Sequence, residues 1–393
     1  MKTRRLLVLT LAVALAFSFT FATVAFANEP APIGVTVDGE RVVFEDQQPT
    51  IVDGRTLVPV RGVFEFMGFE VDWDPDARTA MLVSDDYEVI ITADEATFTT
   101  NGVSHTLDVP AQIINDRTML PIRAVLESVG YNVYWDNANR TVIVLSMSAM
   151  DLLLQSNAAM AEVTSYESVI EMTMVMTAEG MTMNTSITGE SATHVDPIAM
   201  GMSMTTVMNI PGMDAIEMDM ETYIIHEGDY LIMYMYVEGE WSKMTMPFSQ
   251  ELLDELMLLS TSDAMADLYT SAVIVGSERI GGVDTWRVDF EMDIAAAMGY
   301  LGGLTTGFDE LMPMDMFDGM DNVVATVWIA KDSLYQVRIH MDLAEVMADM
   351  MAEMGVTLTT YVMTITSTNF NNARPVVLPE AAADAVEIEL PQL

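Results

Sequence analysis

Beyond residue 170 apolar and polar side chains alternate with a period of two, the spacing of strands with one covered face. Met172, Met174 and Met176 point one way while Glu171, Thr173 and Val175 point the other. Met200, Met202, Met204 and Met208 oppose Gly201, Ser203 and Thr205, and Ile216, Met218 and Met220 oppose Glu217, Asp219 and Glu221. Leu231, Met233 and Met235 face away from Tyr234 and Tyr236. Such recurrence predicts a broad antiparallel sheet with one wet and one apolar face. Further strands are predicted over 272–280 and 283–292, joined at Gly281-Gly282, and over 322–330, 335–341 and 357–369. Helical spacing is predicted over 149–163, where Leu152, Leu153, Ala159 and Met160 share a face, and over 248–259, 262–269 and 343–354.

The first half is organised by a repeat. Residues 51–83 align without gaps, at an offset of 62, with residues 113–145. The shared positions include Arg55/Arg117, Pro59/Pro121, Arg61/Arg123, Gly68/Gly130, Trp73/Trp135, Asp74/Asp136 and Arg78/Arg140. In each unit a turn (Asp53-Gly54, Asn115-Asp116) leads through a short strand to proline, then to a helix closing at glycine. A Trp-bearing strand, an Asp-rich turn and an apolar strand follow, and both tryptophans are expected to anchor the core. Asp72-Trp-Asp-Pro-Asp76 hints at a calcium loop, but Ala77 and Val83 stand where an EF-hand needs Gly and Glu, so a solvated turn is the better reading.

Residues 1–27 have the pattern of an export signal: Lys2, Arg4 and Arg5, an apolar run, then Ala25-Phe26-Ala27 before polar Asn28. The run is also long enough to act as an uncleaved anchor. Composition then narrows the functions. Sixteen Lys and Arg against 59 Asp and Glu give a net charge of −43, which argues against a nucleic-acid partner. With no cysteine there is no disulfide, thiolate metal site or cysteine nucleophile. Of the 37 methionines, 33 lie beyond Ser146, which sets a domain boundary there: 1–27 signal, 28–146 repeat domain, 147–393 Met-rich domain.

The doubled Arg-Thr-x-x-Pro-x-Arg and Trp-Asp motifs resemble the copper amine oxidase N-terminal-like domain, a stalk module of exported bacterial proteins. No Asn-Tyr dipeptide exists to supply that enzyme's tyrosine cofactor, and His105, His194, His226 and His340 are scattered, so oxidase activity is not expected. Ser165-Tyr166, the Met-x-Met strands, Trp241-Ser-Lys and the stretch from Gly276 to Asp289 resemble the LolA/LppX-type lipoprotein-carrier fold. Together the two resemblances imply an α+β, β-rich chain. A pair of small α+β stalk repeats would precede a curved antiparallel sheet, a half-barrel with helices packed on its concave side.

Three functions are consistent with these features. The first is non-enzymatic binding of a lipid-like ligand on the flexible, polarizable face of Met172, Met174, Met176, Met202, Met204, Met218, Met220, Met233 and Met235. The second is a purely structural or adhesive envelope protein, which meets a cell-wall component through the stalk. The third is Cu(I) binding by thioethers, weakened because methionines at i and i+2 on a strand stand about 6.8 Å apart. No cofactor, metal site or catalytic set is expected, since neither a G-x-S-x-G nor an H-E-x-x-H motif occurs. If the leader is removed after Ala27, N-terminal sequencing of secreted protein should begin at Asn28; recovery only in membranes with Met1 intact would establish the anchor instead.

Overall fold

A computed structural model of the chain describes residues 32–248, 263–297 and 322–388. The expected leader and residues 249–259 of the expected helix lie outside the described residues. The fold is α+β and strand-rich, with a curled half-barrel sheet and few helices.

The repeat appears element for element. Unit one contains β1 (Gly34–Val37), β2 (Glu40–Arg41), β3 (Thr50–Val52), β4 (Arg55–Pro59), α1 (Val60–Phe64), β5 (Glu70–Asp74) and β6 (Thr79–Val83). After β7 (Glu88–Thr92), unit two contains β8 (Thr97–Thr100), β9 (Val103–Thr106), β10 (Gln112–Ile114), β11 (Arg117–Pro121), α2 (Ile122–Ser128), β12 (Asn132–Asp136) and β13 (Thr141–Leu145). The turns at Asp53-Gly54 (φ 50° and 75°) and Asn115-Asp116 (φ 49° and 59°) hold both central residues at positive φ, which suits the twist of two-residue hairpins. The two hairpins join through β4 and β11, where Val58 faces Leu120. Across that seam the units exchange partners: Arg55 pairs with Asp108 at 2.8 Å, and Arg117 pairs with Asp46. These pairs are exposed and contribute little to stability. The energy lies in a core that includes Val58, Phe64, Leu82, Ile91, Leu120 and Leu126, all at 0 % exposure.

The tryptophans differ from expectation. Trp135 packs against this core, but Trp73 does not, and instead lines a cleft beside α1. The Asp-rich turn is confirmed as a turn, because the Asp74 carboxylate accepts from the backbone N–H groups of Asp76 and Ala77.

The second half opens with α3 (Ala149–Ala161), started by a capping box in which Ser148 and Asp151 exchange hydrogen bonds. Its buried face is Ala149, Leu152, Leu153 and Ser156; Ala159 and Met160 are only half-buried. Six strands then run outward: β14 (Ser165–Ala178), β15 (Met181–His194), β16 (Ala199–Asn209), β17 (Ile216–Glu227), β18 (Tyr230–Val237) and β19 (Glu240–Pro247). After α4 (Asp263–Leu268), strands β20 (Tyr269–Ile280), β21 (Val283–Met292), β22 (Val323–Ala330) and β23 (Gln336–Asp342) return from the far edge. Helix α5 (Ala344–Glu353) leads to β24 (Val356–Thr368), which pairs with β14 and fuses both meanders, and β25 (Val386–Glu387) caps β19 in parallel. Strand β15 escapes the sequence reading because Thr182, Asn184, Ser186, Gly189 and Ser191 give it the composition of a loop. Among the described residues no helix is long and apolar enough to cross a membrane.

A second core spans the compositional boundary. Ile143 and Leu145 of β13 pack with Leu152 and Leu153 of α3 and with Ile274, Trp286, Val288, Val327 and Ile329 of the returning strands. Beside it Asp136, 1 % exposed, accepts from the backbone N–H and side-chain amide of Asn139 and from the backbone N–H of Ser277, at 2.7 to 3.0 Å. Gly276 lets the strand approach closely here, since a Cβ would stand 3.1 Å from the Asp136 carboxyl carbon and press on its hydrogen bonds. Burial pushes the Asp136 carboxyl up, but these hydrogen bonds outweigh it and hold it below its usual range. A lowered carboxylate contributes stability above its unfolded-state pKa and loses it as pH falls through the folded-state value. Asp136→Ala should therefore cost about 2–3 kcal/mol in denaturant melts near neutral pH, with the loss shrinking on acidification. Asp74→Ala, at the matching but exposed position, should cost about 1 kcal/mol or less.

Candidate functional site

The strand register decides which face each methionine occupies. Met172 lies opposite Ile187, which lies opposite Thr206, which lies opposite Met218. The next row is Met174, Thr185, Met208 and Ile216, and Met176 faces Met183. Met202 lies opposite Thr222 and Thr222 opposite Met235; Met204 faces Met220, and Ile224 faces Met233. Side chains directly opposite on paired strands point to the same side. All nine methionines singled out from the sequence therefore share one face, together with Met208, which alternation also places beside Met204, and with Met183, Ile187 and Met363, which the sequence reading does not place there. Met363 and Ile187 flank Met172 on its two neighbours, so register was the information that could have found them.

That face continues into the second core. Met363 faces Met341, which faces Ala325, and one row along Ile365 leads through Ile339 and Val327 to Val288 and Ile274. At that end α3 covers the sheet, and Val288, Val327 and Ile329 are 0 to 1 % exposed. At the other end, on β14 to β18, the nine methionines are half-buried, apart from Met218 at 37 % exposure. Thr185, buried between Met174 and Met208, has no hydrogen-bond partner for its hydroxyl among the described residues.

The opposite face is occupied by the chain's own tail. Asn371 donates its backbone N–H to the Ser165 carbonyl, and the Arg374 backbone N–H donates to Glu167 at 2.7 Å. Gly201 leaves room for Val376 and the Tyr223 ring, whose carbons lie 3.1 to 3.3 Å from where its Cβ would stand. The tail ends on β19, where Glu387 accepts from Thr245 at 2.8 Å and pairs with Lys243 at 3.3 Å. The hydrogen bond from Thr245 is the main cause that holds the Glu387 carboxyl below its usual range, with Lys243 adding to it. The tail therefore lies against the face opposite the methionines.

Two clefts lie elsewhere, one of about 760 Å³ at the junction beside Asp136 and one of about 980 Å³ in the stalk beside Trp73; none of the nine methionines lines either. Among the described residues no three His, Asp or Glu side chains converge as a metal site. The histidines are used locally: His105 stacks on Phe98, His226 meets Phe248 edge-on, and His340 hydrogen-bonds Thr364.

Residues 36–144 match the copper amine oxidase N-terminal domain, and residues 148–269 match a family of unknown function, DUF6612. Among curated proteins none matches. Similar solved structures include the Mycobacterium tuberculosis lipoprotein LppX, 18% identical over 58% of this chain and 98% of that one, with a TM-score of 0.32. LprF from Mycobacterium bovis is 15% identical over 60% of this chain and 97% of its own, also at 0.32. A DUF1329 family protein from Desulfovibrio piger is 14% identical over 59% and 94%, at 0.21.

The exposure gradient has a direct readout. Under mild peroxide, peptide mapping should find Met218 and its half-buried neighbours converted to sulfoxide at least about tenfold faster than Met119, which is 0 % exposed in the stalk. Equal rates would mean that the methionine face is as sealed as a core.

Proposed function

We propose that this chain is a non-enzymatic extracytoplasmic protein of the cell envelope. In this reading the stalk, residues 28–146, presents a sheet domain, residues 147–393, which binds an elongated apolar ligand such as a lipid acyl chain on its methionine face. The observation that carries it is one continuous apolar face, sealed by α3 at one end and half-exposed over β14 to β18 at the other. Methionine suits that place, since an unbranched thioether adapts to ligands of different shape where Leu or Ile would fix one packing. The Thr185 hydroxyl offers a buried hydrogen bond to a ligand's polar group. A cell-wall component is the partner we assign to the stalk.

One observation favours a ligand-free structural role: among the described residues, the clefts at the junction and in the stalk are both lined without these methionines. The two readings separate on one variant. Replacing Met174, Met204 and Met218 together by Gln should weaken binding of a fluorescent fatty acid at least about tenfold, roughly 1.4 kcal/mol, while the circular dichroism melt stays near that of the parent. A structural sheet would not bind the probe at all, and if its methionines were a sealed core the triple variant would unfold, at about 1–3 kcal/mol per unpaired buried amide. Stoichiometric Cu(I) uptake that the same substitutions abolish would replace the lipid reading with a metal one.

A further inference from the structure

The stalk contains a cleft that lipid binding does not use. Phe44, Phe66 and Trp73 line it, with Arg61 and Arg117 among the charged groups. The apolar residues at its rim are unusually open: Val43 is 77 %, Phe66 43 % and Ile113 39 % exposed. The cleft is built into the fold. Phe44 lies so close on α1 that a Cβ at Gly62 would come within 2.8 Å of its ring.

The second repeat serves as an internal control. At the matching offset it has Ala124 for Gly62, Ser128 for Phe66 and Tyr134 for Asp72. Its Trp135 packs against the stalk core, and the Tyr134 hydroxyl accepts from the Ala149 backbone N–H. The same scaffold thus holds a glycine-backed aromatic wall with an acidic rim in unit one only. Stability of the motif does not require that set, because unit two folds without it.

Charge identifies the occupant. Arg117 is paired with Asp46 and Arg61 with Glu65 at 3.2 Å, whereas Glu45, Asp72 and Asp116 of the same lining make no ion pair among the described residues. An apolar floor with surplus negative charge favours a cationic, amphipathic partner, whose cation also gains from an aromatic face. A second copy of a chain with net charge −43 is repelled. We propose that this cleft is a docking site for a basic amphipathic peptide segment, which places apolar side chains on Phe66 and Trp73 and Lys or Arg beside Asp72 and Asp116.

The test uses the full chain and two labelled peptides of equal length and charge, one alternating Lys with Leu and the other Lys with Ser, read by fluorescence anisotropy. The Lys-Leu peptide should bind with one-to-one stoichiometry and at least about tenfold more tightly than the Lys-Ser peptide. Phe66→Ser, which installs the residue of the second repeat, and Asp72→Asn should each weaken it about tenfold, while Glu179→Gln in the distant β14–β15 turn leaves it unchanged. The triple methionine variant should also bind as the parent does, which separates this site from the sheet face. Equal binding of both peptides, or variants without effect, would reduce the interaction to general attraction between opposite charges and overturn the proposal. Binding of N-acetylglucosamine oligomers that Phe66→Ser removes, with no peptide preference, would overturn the assigned class in favour of a saccharide. If Phe66→Ser lowers the melting temperature, Asp72→Asn decides alone.

Discussion

Strand β14 is the constraint on which the sheet depends. It pairs along its full length with β15 and along nearly all of it with β24, so it fuses a meander running outward with one returning from the far edge. A slip of one residue in either pairing would put Met172, Met174 and Met176 on the opposite face from their present partners, Ile187 and Met183 on β15 or Met363 on β24. The apolar side of β15 to β18 is therefore continuous with the α3-covered side of β20 to β22 only because this one strand holds both registers. A register shift between Val175 and Met176 confines the irregularity to the turn end, past the rows of Met172 and Met174.

The two faces are then managed differently. On the polar side the tail crosses from β14 to β19 and ends as β25, which covers an edge that would otherwise present unpaired backbone groups. On the apolar side α3 and β13 seal one end and leave the remainder half-exposed. A chain with 59 acidic and 16 basic residues tolerates such a surface because its net charge opposes self-association, while its stability rests on apolar packing in the absence of cysteine.

The stalk shows how a duplicated sequence acquires two roles. Asp74 and Asp136 cap the same turn, yet only Asp136 is buried and receives the Ser277 backbone N–H from the second half of the chain. Trp73 and Trp135 share a strand position, yet one lines a cleft and the other packs on the core. Repetition supplied the scaffold, and the neighbours of each copy gave it its use: the second unit packs against the sheet through β13 and Asp136, while the Trp73 cleft of the first opens to solvent.

Much of this was legible in the chain itself. Period-two alternation marked most strands and put each set of methionines on one side of its own strand, because that property depends only on local geometry. The Asp-Gly and Asn-Asp turns, the prolines before α1 and α2 and the glycines after them likewise declared the stalk repeat, since each satisfies a backbone requirement within a few residues. What the sequence could not declare were relations between distant segments: the membership of β15, whose Ser, Thr and Gly content hides its place in the sheet; the union of β14 with β24; and the core shared by Leu145, Leu153 and Val288. Nor could it divide the two tryptophans or the two aspartates. Pattern records what a segment would bury, whereas register and docking decide against what it is buried, and that choice is made only when the whole chain has folded.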